Sequence, residues 1–210
     1  GMWDMVMPSL AARAAQHPDK LLFQARVAGA STPCHDGQYF YDTDHAWGDS
    51  GTQSNDLTYN ATDHTAVTVT EFKAALRLAV IALLGFKDDN GEPFAQPTVG
   101  RLSDLLVTVP LALRDVAYDA LESNILSNST NVVIDRPEIV VSPFLTSGVE
   151  FYVDYLGSPL KPFVFQAREP LSTQTKGADD LETKDLKFMT RARYNVGYLA
   201  WWNSVLTTFN

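Results

Sequence analysis

Apolar residues recur at helical spacing across residues 8–28, where Leu10 and Ala14 mark one stripe and Leu21, Leu22, Ala25 and Ala28 the next. His17-Pro18 separates the two stripes. Proline lacks the amide hydrogen that a helix interior needs, so the pattern predicts two helical pieces with a break there. Gly29 is placed to end the second piece. Residues 30–65 then lose all periodicity and fill with Gly, Asp, Ser, Thr and Asn. They predict a long excursion holding at most a short strand at residues 38–41. A loop of this length is usually functional or ordered by a partner.

The clearest helix follows. Thr68 and Glu71 form a capping box, in which each side chain satisfies the other's free backbone donor, and Phe72, Leu76, Ala79, Val80 and Leu83 then recur with a helical period. Lys87-Asp88-Asp89-Asn90-Gly91-Glu92-Pro93 ends it. Residues 105–109 predict a buried strand running into Pro110, which suits the first turn of a further helix with Leu113, Val116, Ala117, Ala120 and Leu121 on its apolar face. Short strands are predicted at residues 139–142, 149–155 and 162–167, each bounded by Pro or Gly. After a polar, acidic loop around residues 176–184, Phe188, Thr190, Ala192, Tyr194, Val196 and Tyr198 alternate with Met189, Arg191, Arg193 and Asn195. That alternation describes a long, half-buried strand. Helices and antiparallel strands segregate without a regular strand-helix repeat, so the fold class is α+β.

Composition narrows the function classes. A chain of 210 residues that is 45% hydrophobic can bury a real core, as one large domain or two small ones. The net charge of -9 and a pI of about 4.8, with no local cluster of Lys and Arg, give a field that repels nucleic acid. Cys34 is the sole cysteine, which excludes a disulfide within the chain and fits a reducing cytoplasm. The longest apolar run, residues 76–84, contains Arg77 and falls short of the ~20 residues that a membrane-spanning helix needs. Met2-Trp3-Asp4 has no basic region of the kind that opens a signal peptide, and Gly1 ahead of Met2 reads as a tag remnant. Without secretion, the Asn60-Ala61-Thr62 and Asn128-Ser129-Thr130 sequons carry no weight. The aromatic content, 11% with eight Tyr and four Trp, suits cores and subunit contacts alike.

Several stretches carry residue types that do chemistry. Gly48-Asp49-Ser50-Gly51 is similar to the sequence around the nucleophile of chymotrypsin-like proteases, but it comes early, without the partner histidine motif or a preceding β-barrel, and reads as a polar turn. Asp42-Thr43-Asp44-His45, with Cys34-His35 upstream, offers metal-ligand types at a spacing that matches no zinc pattern; short Asp side chains in loops commonly hold turns instead. Lys87 to Gly91 has the acidity of a calcium loop without its alternating ligands or distal Glu. Arg191 and Arg193 share a strand face with Asn195, which could grip phosphate or make a salt-bridging contact between subunits. Trp201-Trp202 reads as core or contact surface. No P-loop, GxGxxG or HExxH motif is present. No catalytic, cofactor-binding or metal-binding residue is therefore assigned, and no cofactor is expected.

Taken in order, several of these stretches resemble the Mu-like prophage major head subunit family, the major capsid proteins of Mu-like phages. The matching pieces are Phe40-Tyr41-Asp42-Thr43-Asp44-His45 with Gly51-Thr52-Gln53-Ser54-Asn55, then Phe86-Lys87-Asp88-Asp89-Asn90-Gly91-Glu92-Pro93 and Glu138-Ile139-Val140-Val141-Ser142-Pro143. Pro162-Phe163-Val164-Phe165-Gln166 and the terminal strand at residues 188–202 complete the set.

The resemblance implies the tailed-phage major capsid fold. A peripheral domain with a long spine helix and an antiparallel sheet is then expected from residues 1–65 with 168–210, and an axial domain from residues 66–167. It also implies a structural subunit and not an enzyme, one that self-assembles into hexamers and pentamers of an icosahedral shell in the host cytoplasm. That shell would enclose DNA without sequence-specific binding, alongside other phage head proteins and away from membranes. The N-terminal arm and extended loop of such subunits are expected to be missing, with the chain starting at the spine helix. Two other readings compete: a metal-dependent hydrolase using Asp42, Asp44 and His45 with His35 or Cys34, and a connector or decoration protein of a phage particle.

Overall fold

A computed structural model of the protein describes residues 2–94, 102–122, 125–126, 129–130, 136–176 and 187–210. In chain order the elements are α1 (Met2–Ala28), β1 (Asp56–Tyr59), α2 (Val69–Gly85), β2 (Leu105–Pro110) and α3 (Arg114–Leu121). They are followed by β3 (Ile125–Leu126), β4 (Ser129–Thr130), β5 (Glu138–Ser142), β6 (Glu150–Tyr155), β7 (Phe163–Lys176), β8 (Lys187–Tyr198) and β9 (Ser204–Phe209). The acidic loop expected at residues 176–184 lies almost wholly outside the described residues.

Five strands form the central sheet in the order β1-β9-β6-β2-β5. The sheet is mixed: β1 with β9 and β2 with β5 run parallel, while β6 pairs antiparallel with both β2 and β9. The antiparallel pairing expected throughout holds for β6 and for the separate β7–β8 hairpin. Of the strands from residues 1–65 and 168–210, β1 and β9 lie in the same sheet as β2, β5 and β6 from residues 66–167, while β8 pairs with β7 apart from it.

Strand alternation gives this sheet two unlike faces. Val107, Val153 and Val205 stand side by side on one, and Phe72 of α2 meets Phe151 and Phe209 there with ring centroids at 5.0 and 6.3 Å. The predicted apolar face of α2 is the observed one, with Phe72, Leu76, Ala79 and Leu83 buried together with Ala75. Glu71 and Thr68 close the expected capping box at its start. Leu113, Ala117, Ala120 and Leu121 bury α3 beside it, after a single 3₁₀ turn that begins behind Pro110. Burying a side chain of this size is worth ~1.5–3 kcal/mol, so this apolar layer is the main source of cohesion. The other face carries Tyr152, Asp154 and Ser204, which are polar and equally buried.

Three expectations need correction. First, α1 does not break at His17-Pro18 but runs unbroken from Met2 to Ala28 with Pro8 and Pro18 inside it, and Leu10 is exposed. A proline removes one helical hydrogen bond; here the helix continues across the gap and packs against β8. His17 Nδ1 lies 2.9 Å from the Tyr194 hydroxyl, and the Tyr198 hydroxyl donates to the Ala25 carbonyl at 2.7 Å. Second, residues 38–41 form no strand: Tyr39 makes only an isolated bridge to Pro33, while Phe40 and Tyr41 are buried as core side chains. Third, the sequence pattern predicts no strand at Asp56–Tyr59 or Ser204–Phe209, yet these pair in parallel from Asp56 with Leu206 to Tyr59 with Phe209.

Candidate functional site

The polar face of the sheet and the long loop after α1 are built into one unit. Gly29 ends α1 as expected, and its lack of a side chain has a second use, since a Cβ there would sit 2.9 Å from the Tyr41 ring. Just before it, Arg26 enters the interior, and its guanidinium reaches Asp154 on β6 through Nη1 to Oδ1 at 3.1 Å and Nη2 to Oδ2 at 2.5 Å. Ser204 of β9 donates to Asp154 Oδ1 at 2.6 Å and lies 2.9 Å from the Tyr41 hydroxyl. The rings of Tyr152 and Phe163 lie 5.0 and 4.9 Å from the guanidinium carbon. Asp154 holds the Arg26 charge firmly despite burial, with the pKa above the ordinary arginine value, whereas burial pushes the Tyr41 hydroxyl well above the usual tyrosine range.

Asn55 closes the loop onto the C-terminal residues. Its Nδ2 donates towards the carbonyls of Phe40 (2.7 Å), Trp201 (3.2 Å) and Ser204 (3.2 Å), and its Oδ1 accepts from the Asp42 amide at 2.9 Å. Three chain segments, residues 40–42, 55 and 201–204, thus meet at one buried amide. Nearby, the His45 ring is fully buried and stacks on the Trp201 indole with centroids 3.9 Å apart and an interplanar angle of 6°. Its Nδ1 lies 2.7 Å from Asp36 Oδ2; a carboxylate only accepts, so the ring proton sits on Nδ1. Nε2 is buried without a hydrogen-bond partner among the described residues.

The residues singled out for metal chemistry are not gathered into a site. Asp42 accepts from the amides of Thr43 (2.7 Å) and Tyr39 (3.2 Å) and so shapes the turn; Asp44 is exposed; His45 points inward to Trp201 and Asp36. Cys34 Sγ lies 3.1 Å from His35 Nδ1, and burial raises the pKa of the thiol. The His35 ring packs on Trp202. Among the described residues no group of three or more His, Cys, Asp and Glu side chains could hold a metal ion.

The remaining motifs are also architectural. Ser50 is buried, donates to the Gly51 carbonyl at 2.9 Å and accepts from the Trp47 amide at 2.9 Å. Asp88 Oδ1 accepts from the amides of Asn90 and Glu92, closing the turn that ends in the Lys87–Pro93 bridge. Arg191 and Arg193 both reach Glu169 across the hairpin, at 3.2 and 3.3 Å. Trp201 is buried, and Trp202 is half-buried and stacked on Phe94. Sequence reasoning assigns no role to Arg26, Asp154 or Ser204, and includes Asn55 only within a family-matching stretch. The visible signal was faint: an arginine inside the second apolar stripe of α1 and an aspartate inside the apolar run of β6.

Comparison with known proteins gives this architecture a relative. Residues 1–72 match the family model of the Mu-like prophage major head subunit gpT. Over 70 residues, 32% of this chain and 23% of the other, the protein is 39% identical to the Mu-like prophage FluMu major head subunit of Haemophilus influenzae. Among solved structures, the mature capsid of bacteriophage PhiM1 matches with a TM-score of 0.58 at 16% identity, and the capsid of the cyanophage P-SCSP1u with 0.59 at 11%. Each match covers 99% of this chain and 65% of the capsid chain, so the protein spans just under two thirds of the length of those relatives. The resemblance read from the sequence therefore holds: through residues 1–72 the chain is similar to the Mu-like prophage major head subunits, and it has the fold of the tailed-phage capsid proteins.

Proposed function

We propose that the protein is a shell-building head subunit of a Mu-like phage or prophage, a structural component and not an enzyme. The single observation that carries this reading is the match of residues 1–72 to the major head subunit family. Those residues contain α1 and the whole loop that Asn55 and Arg26 fasten to the sheet. The hydrolase reading has no support in the geometry, because Asp42, Asp44 and His45 do separate work.

In this reading α1 with the β7–β8 hairpin forms the peripheral-type unit, and the five-stranded sheet with α2 and α3 forms the axial-type unit. The boundaries then follow the sheet, so β1 and β9 go with the axial-type strands that they pair with. Copies assemble in the host cytoplasm into hexamers and pentamers, alongside other head proteins, and close around DNA in the virion. The acidic chain suits an inner wall that must let DNA pass, because binding to the phosphate backbone depends on clustered Lys and Arg. Rate-zonal sedimentation of the complete gene product tests the reading. Fast-sedimenting particles support it, and a product that stays at the position of a monomer at all concentrations contradicts it.

A further inference from the structure

Charge is uneven along this chain. From Val27 to Phe72 the sequence has seven carboxylates and no Lys or Arg, whereas the two strands of the β7–β8 hairpin carry five Lys or Arg and one carboxylate, Glu169, with four carboxylates and one Lys between them in residues 177–186. The fold presents part of each set beside exposed apolar side chains. On the acidic side two turns interlock. The Asp49 amide donates to the Asp89 carbonyl at 2.8 Å, and Gly48, with φ at +54°, passes so close that a Cβ would stand 2.3 Å from the same oxygen. The interlock holds exposed Asp49 and Asp89 next to Trp47, which is 46% exposed. Trp47 stacks loosely on Phe94 and Trp202, at 6.3 and 6.1 Å, and those two rings lie parallel at 4.8 Å. The product is an aromatic ledge with a carboxylate rim.

On the basic side, Tyr194 faces α1 through His17, so strand alternation turns Met189, Arg191 and Arg193 to the outer face of the hairpin. Among the described residues two guanidinium groups share the one carboxylate of Glu169 there, which leaves one positive charge in excess, and Met189 is 52% exposed beside them. Guanidinium groups are attracted to a ledge of this kind both by its charge and by the faces of its rings. Aromatic residues, Met and Arg within a polar rim are also the composition of protein interfaces. Both surfaces are exposed in the same copy, so neither is covered by the other.

We propose that the Arg191 and Arg193 face of one copy docks on the Trp47, Asp49 and Asp89 ledge of a second copy. The contact joins two different patches, and such head-to-tail contacts build rings when the rotation closes. This proposal rests on the shell-subunit reading and supplies it with a specific contact.

The test uses two variants of the 210-residue chain, one carrying Asp49→Lys with Asp89→Lys and the other Arg191→Glu with Arg193→Glu. Self-association is measured by sedimentation equilibrium, and folding by circular dichroism. Each variant alone opposes like charges and is expected to associate about tenfold more weakly than the unaltered chain. An equimolar mixture restores both complementary pairings, so association returns. Neutralising substitutions, Asp89→Asn and Arg193→Gln, give a smaller loss in the same direction and serve if a reversed chain fails to fold. Unaltered association in all the variants, or folded variants whose mixture fails to recover, overturns the contact and leaves the shell reading standing. An unaltered chain that never associates overturns the contact, while the shell reading stands or falls on the complete gene product.

Discussion

Arg26 at the end of α1 and Asp154 on β6, 128 residues apart in sequence, form a two-pronged ion pair beneath the central sheet, with both side chains almost fully buried. The pair fixes where the long helix leaves the sheet and where the loop begins. A buried charge left without its partner costs ~3–5 kcal/mol, whereas replacing both charges by apolar groups of similar volume costs far less. Arg26→Met and Asp154→Leu are therefore each expected to lower unfolding stability by about that amount, and the double variant by clearly less than the sum. Denaturant unfolding of the three variants checks this, and strict additivity would show that the two side chains do not depend on each other.

Asn55 is the second fastening point. Asn55→Asp keeps the size of the side chain, removes its donors and sets a carboxylate against the carbonyls of Phe40, Trp201 and Ser204. A loss of about 3 kcal/mol or more is expected. Limited proteolysis within residues 30–65 should speed up in the variant; an unchanged cleavage pattern would mean that the loop is held elsewhere.

Two glycines with positive φ separate close packing from backbone freedom. Gly48→Ala meets the Asp89 carbonyl at 2.3 Å, while Gly37→Ala, with φ at +90°, finds open space. Both carry a backbone strain of ~1–3 kcal/mol. Only the first is also expected to separate the two turns. Thermal unfolding should rank Gly48→Ala as the more destabilised.

The cap of α2 predicts a pH dependence. Three backbone and side-chain donors from Thr62 and Thr68 hold the Glu71 carboxyl down at about 2. Because the folded value lies below the unfolded one, the stabilisation is complete above the ordinary carboxylate range and is lost as pH falls from about 4.5 towards 2. Glu71→Gln should flatten the stability curve in that window relative to the unaltered chain, as read by denaturant midpoints across pH.

Where the sequence was legible, local and tertiary signals agreed. The α2 helix could be read because its cap and its apolar period both point to the same residues, and β5 and β6 because punctuation by Pro and Gly bounds them. The hidden features depend on partners distant in the chain. Nothing around Pro18 reveals that Tyr194 and Tyr198 support α1 from β8, and the four residues of β1 show too little alternation to be read apart from β9. The Asp42, Asp44 and His45 cluster was legible as residue types only. Side-chain direction, which decides between a metal site and a turn, is set by Trp201, Asp36 and Asn55.

As a head subunit, the protein is expected to build a shell. Negative-stain electron microscopy of particles from cells expressing the complete gene product tests it most directly. Closed shells, or tubes and sheets of repeating capsomers, are the predicted result, and a homogeneous field of unassembled protein would contradict it.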